Sequence, residues 1–238
     1  MNLPILGRHS TKLFVFFNCL FITFGIIVIA FGMKLPTKLF RYKRILQATI
    51  PPIFPTATFS GSLSILATCI GILGILNERN MIMYLHLCTL TIVMIIEIGI
   101  ASSSKLMKDQ FFTEAHRSLN MSVQKYWTNL CYQMEFDNLQ KTFHCCGANS
   151  SSDYSHVKQL IPTSCLSGIK PYSLGCADAL NILVQYYKTI LIYLCFSFGI
   201  IHGVYLLFSF LMICISKIGK IGSSQTCCSD QTKTTDED

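Results

Sequence analysis

Apolar and polar positions separate into long blocks along this chain. Residues 13–33, 53–76, 81–101 and 190–215 form nearly unbroken apolar runs, and 102–189 is the one long polar stretch between them. Each run meets the roughly 20 residues a helix needs to cross a hydrocarbon core of about 30 Å. Backbone groups find no water in lipid, so each run is predicted to be helical. The order read from the pattern is tail 1–12, span 13–33, small loop 34–52, span 53–76, turn 77–80, span 81–101, large loop 102–189, span 190–215 and tail 216–238. The fold class is an all-α membrane protein built on a four-helix transmembrane bundle.

Finer periodicity adds helices inside the large loop. Leu119, Val123, Tyr126 or Trp127, Leu130 and Met134 recur at three- and four-residue steps, predicting one helix over 118–143. Leu180, Leu183, Val184 and Tyr187 repeat the pattern over 177–188 and run into the fourth span, while the third span is expected to continue outward past Lys105. Between these helices, residues 144–176 are rich in Ser, Pro, Gly and Asn and read as loop. Pro36, Pro51, Pro52 and Pro55 punctuate the small loop and the start of the second span. The tail from Ser216 is polar and is expected to be disordered.

Composition sharpens the class without changing it. The 238 residues are 51% hydrophobic and only 13% charged, far from soluble averages. The net charge of +7 is scattered over loops without a groove-fitting pattern, so no nucleic-acid partner is expected. The first apolar run is long enough to span, and no small-x-small site closes it, so it reads as an uncleaved anchor. Basic residues do not decide orientation. With both termini cytosolic, Arg8, Lys12, Arg79, Lys217, Lys220 and Lys233 lie inside, against Lys34, Lys38, Arg41, Lys43 and Arg44 in the small loop.

Cysteines and sequons decide instead. Cys145 and Cys146 are adjacent and cannot easily bond each other across a trans peptide, so each looks outward for a partner, and Cys165 and Cys176 follow in the same segment. Gly147 directly after the pair permits a sharp turn. Four cysteines allow three connectivities. Disulfides persist outside the cytosol, and the N-glycosylation sequons at Asn120 and Asn149 lie in the same segment. The large loop is therefore expected to be extracellular, disulfide-braced and glycosylated. Cys131 is an odd fifth thiol, expected to be buried and inert. His144 and His156 beside the cysteines match no zinc spacing, so no metal site is expected.

Leu139-Gln140-x-x-Phe143-x-Cys145-Cys146-Gly147 followed by Asp153-Tyr154, then Pro162-x-Ser164-Cys165 and Gly175-Cys176, resembles the signature of the tetraspanin family. The resemblance covers the whole chain, with Tyr154 at a position where Trp is usual. It implies pairing of Cys145 with Cys176 and of Cys146 with Cys165. It also implies a non-enzymatic scaffold at the plasma membrane, partnered by other membrane proteins: tetraspanins, adhesion receptors or integrins. No cofactor is expected, beyond a sterol such as cholesterol, or another lipid, held in the helix bundle.

Within the spans, Asn18, Gly25 and Gly32 share a heptad spacing, and Gly61, Ser64, Thr68, Gly71 and Gly74 line the second span, as close helix packing in lipid requires. Asn18, Glu97 and His202 are the intramembrane polar residues singled out. A carboxylate at that depth costs at least a few kcal/mol unless it faces the bundle interior. Glu97 reads as an interhelical hydrogen bond, with the resemblance implying instead a polar lining of a central cavity that takes a sterol or lipid, and His202 stands where the family often carries an acid or amide. Cys214, Cys227 and Cys228 are palmitoylation candidates near the inner end of the fourth span. Cys19, Cys69, Cys88 and Cys195 read as helix-packing residues. The rival function is a channel or transporter subunit, which needs more polar residues along one helix face. A thiol oxidoreductase needs a C-x-x-C pair that the chain lacks.

Overall fold

The computed structural model describes residues 3–47, 51–77, 80–102 and 108–231, with the side chains of 12–47, 51–77, 81–102 and 111–215. The described residues are about 80% helical and hold two disulfides, and four of their helices are long and apolar enough to cross a membrane. They are α1 (Leu3–Phe40), α2 (Ile53–Leu76), α3 (Asn80–Ser102) and the membrane part of α7 (Cys176–Gln231). Their outer surface carries exposed Phe16, Ile26, Phe59, Leu66, Ile92, Ile95, Tyr193 and Leu207. Such a coat is stable only where the solvent is hydrocarbon.

Small residues set the bundle. A Cβ on Gly25 would lie 3.0 Å from the Gly61 carbonyl, and one on Gly61 would lie 2.9 Å from the Gly25 carbonyl, so α1 and α2 touch backbone to backbone. From there α2 packs on α3, α3 on α7 and α7 back on α1, closing a ring. Phe21, Ala67, Leu90, Phe198 and Tyr205 fill its inner half.

Beyond one end of the bundle stand α4 (Lys108–Lys125), α5 (Leu130–Phe143), the short α6 (Ser152–His156) and a small hairpin, β1 (Leu166–Ser167) and β2 (Lys170–Pro171). The first 13 residues of α7, 176–188, return from this head straight into the bundle. One continuous apolar core joins head and bundle, from Val28 and Leu35 through Ile45, Leu119, Leu139 and Leu180 to Cys195.

Four expectations need correction. The helix over 118–143 is two helices: Asn129 takes an extended conformation and its side chain accepts the Cys131 N–H, an N-cap that restarts the chain. The buried stripe then follows Leu119, Val123 and Tyr126, while Trp127, Leu130 and Met134 are exposed. Pro36 does not end α1; it sits inside the helix, which gives up one backbone hydrogen bond while fully buried Leu35 and nearly buried Leu39 anchor the turns around it. Residues 216–231 continue α7 instead of forming a disordered tail, because no proline or tight-turn pair stops the helix after Ile215. Of the supposed packing cysteines only Cys195 is buried; Cys19, Cys69 and Cys88 face outward, where a thiol behaves as one more small apolar group. Arg79 and the continuation of the third span past Lys105 lie outside the described residues.

Candidate functional site

The head is assembled around four sulfurs. α5 ends at His144 in a left-handed conformation (φ 51°, ψ 49°) whose N–H returns to the Gln140 carbonyl. This stop aims Cys145 and Cys146 into the core. Cys145 is bonded to Cys176 and Cys146 to Cys165, and all four are fully buried. Three backbone bonds lace the same segments: Cys146 N–H to Leu174 O (2.9 Å), Cys176 N–H to Gly147 O (3.2 Å) and Ala177 N–H to Ala148 O (3.0 Å).

Both glycines of the two cysteine motifs have a steric reason. Gly147 has φ +66°, and a Cβ there would meet the Ser150 carbonyl. A Cβ on Gly175 would meet the Asn149 backbone instead. Asp153 then caps the turn it follows: its Oδ2 accepts the N–H of Asn149 (2.7 Å) and of Ser150 (3.3 Å).

A buried polar relay ties the motif residues together. Gln140 Nε2 donates to the Tyr154 hydroxyl at 2.7 Å, and Ser164 Oγ lies 2.6 Å from both Gln140 Oε1 and Asp137 Oδ1, sharing one proton between two acceptors. The Tyr126 hydroxyl donates to the same Asp137 oxygen. One network therefore links the turn after α4 with α5, α6 and the turn before β1. Burial, then the hydrogen bond and charge of Asp137, pushes the Tyr126 phenol up to about 12. Burial first of all holds Tyr154 above its ordinary range as well.

The profile of the Tetraspanin family matches residues 10–215. The chain belongs to the tetraspanin family. It is 41% identical to a 25 kDa integral membrane protein of Schistosoma japonicum over 88% of this chain and 94% of that protein. It is 26% identical to leukocyte surface antigen CD53 of Rattus norvegicus over 68% of this chain and 75% of that one. With CD63 antigen of Rattus norvegicus it shares 26% identity over 56% of each. Membership supports a scaffold role in the membrane in general, for a multi-pass tetraspanin whose braced head stands on four spans.

The sequons of this tetraspanin converge. His116 Nε2 donates to Asn149 Oδ1 at 2.6 Å, and Asn120 Nδ2 donates to His116 Nδ1 at 3.2 Å. Asn149 is exposed with its amide nitrogen unspent among the described residues, while Asn120 is half-buried and engaged. Cys131 is half-buried and unpaired with any other cysteine.

Inside the bundle, His202 Nδ1 lies 2.9 Å from Glu97 Oε2, joining α7 to α3, and both side chains are almost wholly enclosed. Phe21 and Phe198 close over the His202 ring at centroid distances of 4.4 and 4.2 Å. Asn18 turns its amide back to the Phe14 carbonyl at 2.8 Å, leaving its Oδ1 unpartnered among the described residues, as are Glu97 Oε1 and His202 Nε2. Sequence reading missed His86, which binds the Ala67 carbonyl (2.7 Å) and the Tyr205 hydroxyl (3.1 Å) and so bridges α2 and α7. The sequence held only the spacing that sets His86 on one helix face with Glu97; the structure shows positions 86, 90, 93 and 97 as one fully buried stripe of α3. Cys214 is half-buried near the end of the span away from the head, and the side chains of Cys227 and Cys228 lie outside the described residues.

Proposed function

We propose that this tetraspanin organises other membrane proteins laterally, and that the crown of the head, residues 144–176, selects them. The arrangement of the crown carries this reading. Its floor is braced by two disulfides and a buried polar network, while its upper surface presents Leu160 at 80% exposure and Ile169 at 96%. Large apolar side chains held rigidly in water belong to binding surfaces. Tetraspanins, adhesion receptors and integrins are the partner classes, reached at the plasma membrane with the head outside and both termini cytosolic. Asn149 is the stronger glycan acceptor, and Cys214, Cys227 and Cys228 are the acylation sites that hold the protein in its lipid environment.

The protein acts without catalysis in this reading, because among the described residues no side chains of the head line up as nucleophile, base and orienting group. A channel needs a continuous polar path, and the aromatic lid on His202 argues against one. The cavity of about 250 Å³ lined by Phe14, Leu87, Tyr205 and Met212 gives a lipid chain, or one end of a sterol, more room than the closed packing around Glu97.

Proximity labelling on intact cells tests the proposal. Replacing Leu160 and Ile169 by Ser is expected to change the set of labelled neighbours while surface level and disulfides stay intact. An unchanged set refutes crown-directed selection.

A further inference from the structure

Where α1 leaves the apolar zone, Lys34 and Lys38 line one face of the helix and Arg41 follows in the turn just beyond it, and all three are exposed. Ala30 and Met33 continue the same face downward into the membrane span, which ends at Phe40. The C-terminal end of α5, at Phe143, overhangs this face and encloses a cavity of about 690 Å³. That lies within the roughly 300–1,000 Å³ typical of small-molecule sites. The cavity thus has an apolar lower part and a cationic rim at the border between lipid and water.

The rim charges are not spent on the protein. Among the described residues the ion pairs are Arg44 with Glu135 and Glu97 with His202, so none of the three rim cations meets a carboxylate. Aromatic rings hold two of them instead: Lys34 Nζ stands 5.9 Å from the Phe31 centroid and Lys38 Nζ 5.6 Å from that of Tyr187. Such contacts position an ammonium without neutralising it. Cationic residues in a short outer loop also run against the inward bias of Lys and Arg.

We propose that this pocket binds a lipid of the outer leaflet through an anionic headgroup. The three cations hold its phosphate, sulfate or carboxylate oxygens, and the slot beside Ala30 and Met33 takes the first carbons of its chains. Assignment to the outer leaflet rests on the outward-facing head proposed above; the binding itself does not.

A matched lipid pair tests it: sulfated galactosylceramide against galactosylceramide, which differ only in the sulfate. The full-length protein is placed in phosphatidylcholine nanodiscs doped with either lipid, and retained lipid is counted by native mass spectrometry. The charged lipid is expected to be retained about tenfold or more over its parent. Lys34→Gln with Lys38→Gln and Arg41→Gln removes the preference, and Met33→Trp, which fills the slot and leaves every charge, weakens retention. Equal retention of the two lipids by the unaltered protein overturns the proposal whatever the variants do. Displacement by free inorganic sulfate at the concentration of the lipid overturns the lipid assignment in favour of a simple anion site. No partner protein is present, so failure here is separate from failure of crown-directed selection. Vesicles with the sulfated lipid confined to one leaflet then read the side: binding from the leaflet opposite the head overturns the outer assignment.

Discussion

Replacing Cys146 and Cys165 together by Ala, with Cys145–Cys176 left intact, isolates the inner of two nested loops. The removed bridge spans a separation of 19 residues inside one of 31. An independent loop of that length restricts the unfolded chain by about 3 kcal/mol. Nesting lowers this, because the outer bridge already confines the open crown, and about 2 kcal/mol is a reasonable figure. The folded side keeps its other ties, including the Tyr172 N–H bond to Cys165 O at 2.9 Å and the Ser164 contacts to Asp137 and Gln140. The crown should therefore open locally about 30-fold more often, without the head unfolding. Hydrogen exchange on the full-length protein in nanodiscs reads this directly. Amides of 163–172 lose protection by about that factor, while those of α5 between 134 and 143 change less than about threefold. Equal loss along α5 and the outer part of α7 refutes the nested picture, and so does no loss anywhere.

Three further outcomes follow from the buried polar groups. Tyr154→Phe leaves Gln140 Nε2 without its acceptor in a fully buried site, lowering head stability by roughly 1–3 kcal/mol, and adding Gln140→Leu recovers part of the loss in thermal melts. Tyr126 titrates at about 12 in the fold against about 10 when unfolded, so its contribution is complete below pH about 10 and is lost as pH rises toward 12. Near-UV circular dichroism should show this alkaline loss, reduced in Tyr126→Phe. In the bundle, Glu97→Gln keeps an oxygen for the His202 ring, whereas Glu97→Leu strands a buried imidazole and melts earlier by a further 1–3 kcal/mol or so in nanodisc thermal unfolding.

Features carried by local pattern were legible in the chain. Four spans followed from run length, and Gly147 after the cysteine pair signalled the turn that it makes at φ +66°. What escaped were features set by distant partners. His86 meets the Ala67 carbonyl 19 positions back and the Tyr205 hydroxyl 119 positions on, and nothing beside it in the sequence announces either. Gln140 and Ser164 were visible as motif letters, yet their link through Asp137 to Tyr126 exists only once α4 and α5 are folded. The break at Asn129 was hidden because Trp127, Leu130 and Met134 continue an apolar rhythm that ends up facing water. Hydrophobic periodicity reports which faces repeat, and it is silent on whether a face is covered.

The small loop explains how a crown can vary on a fixed base. Tyr42, Ile45 and Leu46 are driven into the head core beneath α4 and α5, where full burial of each stabilises by roughly 1.5–3 kcal/mol. Around them, Ser122 Oγ shares its one proton between the Ser118 carbonyl at 2.9 Å and the Ile45 carbonyl at 3.3 Å, and the Tyr42 hydroxyl donates to Asn138 at 3.4 Å. Arg44 with Glu135 at 3.6 Å is half-exposed and adds little, so apolar burial carries the connection. This keel ties α1 to α5, while the Cys145–Cys176 bridge ties α5 to α7. The keel and this bridge both lie outside 150–174, and substitutions at exposed crown positions such as Leu160 and Ile169 can alter the presented surface without disturbing the base that aims it.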